Sequence, residues 1–178
     1  EMSKIDAGAS PLESAAIDLA TVTEAILRDN EEIAAEHSTQ FKFASSGDTT
    51  VIADKRRVSR IIRNLVVNAI EHCDGTNVEV EILGNESCVS ISVRDHGQGI
   101  AVEDLSRVFG RFWRADPARQ RTLGGTGLGL SISAEDAALH GGIIDVWGAP
   151  NQGAQFVLTL PRIELGAISA VAISAGAP

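Results

Sequence analysis

Two pairs of alternating segments constrain the fold of this chain more than any other feature. In Val78–Ile82 and Val89–Val93 apolar residues occupy every second position, and Gly84–Ser87 lies between the two segments. This pattern around a Gly-Asn turn is typical of an antiparallel hairpin with one buried face. Ile143–Trp147 and Gln155–Leu160 repeat it around a second glycine-containing turn. The sequence therefore predicts two hairpins that belong to an antiparallel sheet.

Three segments have the period of amphipathic helices. Thr21–Glu36 is predicted to begin with Thr21 as its N-cap, and Glu24 completes a capping box. Thr126–His140 is predicted to be a helix that ends at a Gly-Gly pair. The clearest pattern is that of Lys55–His72, in which one apolar stripe is formed by Val58, Ile61, Ile62, Leu65 and Ala69. These helices are expected to cover the sheet.

The order of the elements predicts an α+β fold. Gln40–Ala44 and Thr50–Ala53 are short β-prone segments around a turn, and we expect them to form a further hairpin. Helices that alternate with paired strands predict a two-layer sandwich, in which about three helices lie on one face of a mixed, mostly antiparallel sheet. We expect residues 17–161 to form the domain, residues 1–16 to be a linker, and residues 162–178 to be a disordered tail.

The composition argues against several classes of protein. The 178-residue chain has a net charge of −9, whereas binding nucleic acid along a broad surface needs clustered lysine and arginine. No apolar run is long enough to insert into a bilayer, and no secretory signal begins the chain. Cys73 and Cys88 lack metal-ligand spacing, which favours reduced packing residues and a cytoplasmic setting. A basic cluster within residues 107–121 predicts either a solvated loop or a phosphate-binding segment: Arg107, Arg111, Arg114, Arg119 and Arg121.

Two asparagines in the predicted helix Lys55–His72 point to a metal-bound ligand. Asn64 and Asn68 fall on one stripe beside the apolar face, although asparagine is a poor helix former. Neutral amide oxygens bind Mg²⁺ weakly unless phosphate oxygens and water complete the octahedron. We therefore expect a metal that arrives together with a nucleotide. His72, one turn later, either lines the same pocket or packs at the end of the helix.

Two glycine-rich motifs predict the two ends of a nucleotide pocket. Asp95-His-Gly97-Gln-Gly99 follows a strand, where the carboxylate can accept a hydrogen bond from the amine of adenine and the glycines allow close approach of the backbone. An ordinary turn is the alternative. Gly125-Thr-Gly127-Leu-Gly129 opens a helix, so that backbone N–H groups can face phosphates. A flexible hinge is the alternative for this second motif.

In this order, the motifs resemble those of the ATP-binding catalytic domain of bacterial sensor histidine kinases. That group belongs to the superfamily that also contains gyrase, Hsp90 and MutL. The resemblance is carried by four segments that are similar to the N, G1, F and G2 boxes respectively: Arg63–Ala69, Asp95–Gly99, Phe109–Arg114 and Gly125–Leu130. It implies the Bergerat-type ATP-binding fold, with ATP and Mg²⁺ as ligands. The segments Arg111–Arg119 and Glu135–Gly142 are most similar to actinobacterial kinases of the MtrB type.

The resemblance implies a role for each residue of the site. Asn68 would coordinate Mg²⁺, Asn64 would position the metal and phosphates for catalysis, and Asp95 would hold adenine. Arg111 and Arg114 would act on the phosphates from a lid. The remaining residues expected to bind the nucleotide are His72, Gly97, Gly99, Ile100, Phe109, Gly125, Thr126, Gly127, Leu128 and Gly129. Many family members have lysine at position 71 and tyrosine at 72, so that Glu71 removes one phosphate contact.

Residues 110–125 would be the ATP lid, anchored through Phe109 and Phe112.

The resemblance also distinguishes branches of the superfamily, because the ATPases and the serine kinases carry a glutamate where this chain has Asn64. An amide cannot act as a general base, so we expect phosphoryl transfer rather than hydrolysis.

The expected acceptor is a histidine on a dimerisation domain that this chain lacks, and the expected downstream partner is a response regulator. We expect the chain to be a fragment of a membrane-anchored kinase. The alternatives are an ATPase or serine kinase of the same superfamily, and a degenerate nucleotide-binding module without activity.

Overall fold

A computed structural model describes residues 11–113 and 127–162 of the chain. Within these ranges it contains seven strands and four α-helices. They are β1 (Ser14–Asp18), α1 (Leu19–Asp29), α2 (Glu31–Glu36), β2 (Phe41–Ser46), β3 (Thr50–Asp54), α3 (Lys55–His72), β4 (Val78–Gly84), β5 (Cys88–Arg94), α4 (Gly129–Leu139), β6 (Ile143–Gly148) and β7 (Ala154–Pro161).

The main sheet has five strands in the order β2-β4-β5-β7-β6. Strand β2 runs parallel to β4, and every other neighbouring pair is antiparallel. Both predicted hairpins are present, as β4-β5 and β6-β7, and α3 has the predicted bounds. The predicted α+β class with a mixed, mostly antiparallel sheet is therefore confirmed.

The helices cover the face of the sheet that carries the alternating apolar residues. Val80 lies opposite Val93, and Ile82 lies opposite Ile91, so these side chains share one face. Helix α3 packs between α1 and α4 against this face, and its predicted apolar stripe is fully buried. Burial of such side chains contributes about 1.5–3 kcal/mol each. This core holds α3, which carries the two asparagines, in a defined position over the sheet.

The opposite face of the sheet is bordered by polar pairs. The Oγ atoms of Ser90 and Thr159 lie 3.4 Å apart, and the Arg94 guanidinium lies 5.0 Å from the ring centre of Trp147. Cys73 and Cys88 are buried with free thiols, as predicted. Among the described helices, none is both long and apolar enough to cross a membrane.

The predicted hairpin of Gln40–Ala44 and Thr50–Ala53 is wrong. Both segments are strands, but β2 pairs with β4, and β3 pairs with β1 in a separate two-stranded sheet. Local turn residues do not determine the partner of a strand; burial does. Phe41 and Phe43 of β2 pack beside the core of the main sheet, whereas β3 pairs with a strand that the sequence did not predict.

The predicted N-cap at Thr21 is also wrong. Helix α1 begins two residues earlier, and its N-cap is Asp18, whose carboxylate accepts a hydrogen bond from the Thr21 N–H at 3.1 Å. The Thr49 hydroxyl also donates to Asp18, and this second hydrogen bond favours Asp18 over Thr21 as the N-cap. The helical segment is divided at Asn30, whose side chain donates to the carbonyl of Ile26 at 2.7 Å.

Candidate functional site

Asp95 lies at the end of β5 and is buried, with 2% of its surface exposed. Its Oδ1 accepts a hydrogen bond from the Gly97 N–H at 3.0 Å. Burial raises the pKa of Asp95, and hydrogen bonds from the Gly97 and Ala154 N–H groups only partly offset that effect. Asp95 is therefore a hydrogen-bond acceptor in a desolvated position.

The two glycines after Asp95 are required by close packing. A Cβ added to Gly97 would lie 1.6 Å from the carbonyl oxygen of His72, at the end of α3. A Cβ added to Gly99, whose φ is +73°, would lie 1.8 Å from the carbonyl oxygen of Ala149. The Asp95–Gly99 turn is thus pressed between α3 and the β6-β7 turn. Packing within the protein therefore requires glycine at both positions.

The β6-β7 turn supports this part of the site, a role that the sequence did not reveal. The Asn151 N–H donates to the Gln98 carbonyl at 2.8 Å, and the Gly153 N–H donates to the Gly97 carbonyl at 3.0 Å. The glycine in this segment predicts that the chain turns here, but it does not predict that the turn contacts Gly97 and Gln98.

His72 and Asn68 lie on the last two turns of α3, close to the Asp95 turn. The Nε2 of Gln98 lies 3.0 Å from the Nδ1 of His72 and donates to it, because an amide nitrogen cannot accept. Asn68 is half-buried and makes no hydrogen bond to a residue in the described ranges. Its amide oxygen is therefore available to a ligand.

Asn64 connects α3 to the beginning of α4. Its Nδ2 donates to the carbonyl of Gly129 at 3.0 Å and to the hydroxyl of Ser133 at 3.0 Å. The same Ser133 hydroxyl donates to the Gly129 carbonyl at 2.8 Å. Ser133 is completely buried and was not predicted, because serine inside a helix carries no functional signal by itself.

An ion-pair network holds the two helices together on the other side of Asn64. Asp136 of α4 is 2% exposed and accepts hydrogen bonds from Arg57 at 2.9 Å and from Arg60 at 2.8 and 2.9 Å. His140, one turn further along α4, accepts a hydrogen bond from the Asp54 N–H through Nε2 at 3.0 Å. Arg57, Arg60 and Asn64 therefore form the face of α3 that binds α4.

Phe109 and Ile100 pack against the core, and the ring of Phe109 meets that of Phe156 edge to face, with centres 6.3 Å apart. Phe112 does not anchor its segment in the way that the sequence predicted. It is 70% exposed, and only its backbone is held, through a 3.0 Å hydrogen bond from its N–H to the Gly127 carbonyl.

Arg111 is exposed and its guanidinium lies 2.7 Å from the Glu135 carboxylate, which raises its pKa through the hydrogen bond and the charge. Leu128 is the N-cap residue of α4, and its apolar side chain makes no capping hydrogen bond to the N–H groups of that helix. Three residues expected in the site lie outside the described ranges: Arg114, Gly125 and Thr126.

The groups between α3 and the start of α4 are of the kinds that bind a magnesium nucleotide. The oxygens of Asn64 and Asn68 are separated by one helical turn and have no partner in the described ranges, while the adjacent N–H groups of α4 receive no capping hydrogen bond from the Leu128 side chain. Amide oxygens suit Mg²⁺, and uncapped N–H groups suit phosphate.

Comparison with known proteins identifies the class. Residues 53–164 match the family of histidine kinase-, DNA gyrase B- and HSP90-like ATPases. The chain belongs to this family, and the four motifs and the α+β sheet are those of a sensor-kinase catalytic domain.

The similar curated proteins are sensor histidine kinases. The chain is 42% identical to MtrB of Mycobacterium tuberculosis over 165 residues, which cover 92% of this chain and 29% of MtrB. It is 40% identical to SenX3 of Mycolicibacterium smegmatis over 144 residues, which cover 79% of this chain and 37% of SenX3. The chain thus spans about a third of the length of these relatives.

Solved structures show the same fold. The catalytic domain of the histidine kinase ThkA has a TM-score of 0.74 and 27% identity, and the match covers 84% of this chain and 96% of that domain. Full-length ShkA in complex with AMPPNP has a TM-score of 0.77 and 28% identity, with 90% of this chain and 34% of ShkA covered.

Proposed function

We propose that this domain binds Mg·ATP and delivers the γ-phosphoryl group to a histidine on a separate domain. The observation that carries the proposal is the combination of a buried acceptor at Asp95 with an amide, rather than a carboxylate, at Asn64. The first residue selects adenine, and the second makes water activation unfavourable.

Asp95 supplies the adenine end of the site. Its carboxylate can accept a hydrogen bond from the exocyclic amine, and the glycines at 97 and 99 let the turn pack closely enough against α3 and the β6-β7 turn to fix that carboxylate in place. Burial strengthens this hydrogen bond because little water competes for the acceptor. The complex of the neighbour ShkA with AMPPNP supports an adenine nucleotide as the ligand.

Asn64, Asn68 and the start of α4 supply the phosphate end. Mg²⁺ bound with the nucleotide would neutralise phosphate charge, and the oxygens of Asn64 and Asn68 would hold it. The first N–H groups of α4 would bind phosphate oxygens from the other side. Arg111 would bind a phosphate oxygen once the phosphate displaces Glu135. The Arg111–Glu135 ion pair is exposed and contributes little stability, so the displacement costs little. We assign the lid role of Arg114 and the phosphate contacts of Gly125 and Thr126 on the motif alone.

Among the described residues, the position on α3 from which a carboxylate could activate water is occupied by Asn64. Asn64 cannot remove a proton, and both hydrogens of its amide are used by α4. The nearby Asp136 is held by Arg57 and Arg60, which keep its oxygens occupied. We infer that an incoming imidazole, which is a nucleophile without prior deprotonation by a strong base, accepts the phosphoryl group. The similarity to MtrB and SenX3 supports this reaction, a response regulator as the next acceptor, and a membrane-anchored longer protein.

Phosphate transfer and phosphate release distinguish kinase from ATPase. The chain is incubated with radiolabelled ATP and Mg²⁺, alone and with a histidine-bearing hairpin domain of an MtrB-type kinase supplied as a separate polypeptide. We expect acid-labile, base-stable label on the hairpin and no steady phosphate release by the chain alone. Steady hydrolysis that is lost in Asn64→Ala would instead support the ATPase alternative.

A further inference from the structure

We propose that Ser133 is a positioning residue that makes Asn64 an acceptor-only ligand, directed at the metal of the nucleotide rather than at its phosphates. The proposal rests on the proposed function and adds the residue of α4 that determines which atom of Asn64 faces the ligand.

The orientation of the Asn64 amide is determined by its neighbours. The nitrogen and oxygen of an asparagine side chain are similar in shape, so the hydrogen-bond partners must distinguish them. The backbone carbonyl of Gly129 can only accept, so the Asn64 atom 3.0 Å from it must be the nitrogen. A reversed amide would place two oxygens in contact.

Ser133 uses the remaining hydrogen of that nitrogen. Its hydroxyl hydrogen is donated to the Gly129 carbonyl at 2.8 Å, so that an oxygen lone pair faces the Asn64 nitrogen at 3.0 Å. The amide nitrogen has two hydrogens, and Gly129 and Ser133 take one each. Because Ser133 is fully buried, water cannot replace it in this arrangement.

The consequence is chemical selectivity at Asn64. Its Oδ1 is the only polar atom left for a ligand, and an oxygen acceptor repels phosphate oxygens. It can bind a cation or a water molecule held by a cation. A Mg²⁺-bound nucleotide therefore gains from Asn64, whereas a metal-free nucleotide does not.

The dependence of nucleotide affinity on Mg²⁺ tests this assignment. Calorimetry measures the Kd of AMPPNP with Mg²⁺ and with EDTA for the wild type, Ser133→Ala and Asn64→Ala. We expect Ser133→Ala to weaken binding about three- to tenfold with Mg²⁺ and to leave binding in EDTA unchanged. Asn64→Ala should show the same pattern with a larger loss. A change of equal size with and without Mg²⁺ would assign Asn64 to the phosphates and overturn the inference.

Ser131→Ala is the matched control. Ser131 lies on the same helix, is also buried, and donates to the Leu128 carbonyl at 2.9 Å, but it does not contact Asn64. It should retain the wild-type dependence on Mg²⁺. If Ser133→Ala matches Ser131→Ala, the inference is wrong while the proposed function stands. If the wild type fails to bind AMPPNP at all, both are wrong. Ser133→Cys, which leaves no cavity but accepts hydrogen bonds poorly, should behave like Ser133→Ala, and this would exclude a cavity effect.

Discussion

Replacement of Gly97 by alanine should disrupt the contact between the Asp95 turn and α3. The new Cβ would lie 1.6 Å from the His72 carbonyl oxygen and 3.0 Å from the Cα of Cys73. Contacts of this kind below 3.0 Å essentially never occur, so the turn and the helix end must separate by at least about 1.4 Å. Both atoms belong to backbone, so no side-chain rotation can relieve the overlap.

The expected cost is about 3 kcal/mol of unfolding free energy, at the upper end for overpacking a closely packed interior. For a domain of this size that corresponds to a decrease in Tm of roughly 6–12 °C. Nucleotide affinity should fall as well, because the displaced turn carries Asp95 and the Gln98 that contacts His72. Urea denaturation and calorimetry with AMPPNP measure the two effects.

Gly129→Ala is the informative comparison. Its Cβ would lie 3.4 Å from the Asn64 side chain, an ordinary contact, and alanine favours a helix over glycine by about 1 kcal/mol. This variant should fold at least as stably as the wild type. An unfolding free energy of Gly97→Ala within about 0.5 kcal/mol of the wild type would refute the geometry described for the Asp95 turn.

Two further predictions concern charged groups. Asp136→Ala should destabilise the domain by about 2–3 kcal/mol in urea denaturation, since it removes the buried carboxylate that Arg57 and Arg60 share, although Arg57 keeps Asp54 at 3.8 Å and the half-exposed Arg60 can regain water. Asp104→Ala, which breaks only an exposed pair, should cost less than about 0.5 kcal/mol, and equal losses in both variants would contradict the role of the network. Asp95→Asn should be more stable than the nucleotide-free wild type near neutral pH. The raised pKa means that folded Asp95 binds its proton more tightly than the unfolded chain does; this stabilisation is present at low pH and is lost as the pH rises through the raised pKa. The stability gap between Asp95→Asn and wild type should therefore widen with rising pH, and a gap independent of pH would show that Asp95 is not desolvated.

The sequence predicted the elements with long, regular patterns. Helix α3 and both hairpins follow from apolar periodicity, because burial of one face is their main source of stability. β1 was missed because four of its five residues are exposed and its sequence does not alternate. Without β1, the partner of β3 could not be inferred. The short turn between β2 and β3 therefore led to the prediction of a hairpin.

Within the site, the sequence identified residues whose type is unusual for their position, such as Asn64 inside a helix and Asp95 before two glycines. It did not identify Ser133 or the β6-β7 turn, because their roles depend on contacts between elements distant in the chain. Asp18 and Thr21 are both good N-caps, and a hydroxyl from Thr49 decides between them. Such tertiary contacts have no local signature.

The central claim is that a buried carboxylate selects adenine in a magnesium-nucleotide site, and calorimetric titration with AMPPNP and Mg²⁺ tests it most directly. The wild-type chain should bind one nucleotide per molecule. Asp95→Asn should lose measurable binding while remaining folded, because an amide hydrogen would face the amine of adenine. Absence of binding by the wild type, or unchanged binding by Asp95→Asn, would contradict the account.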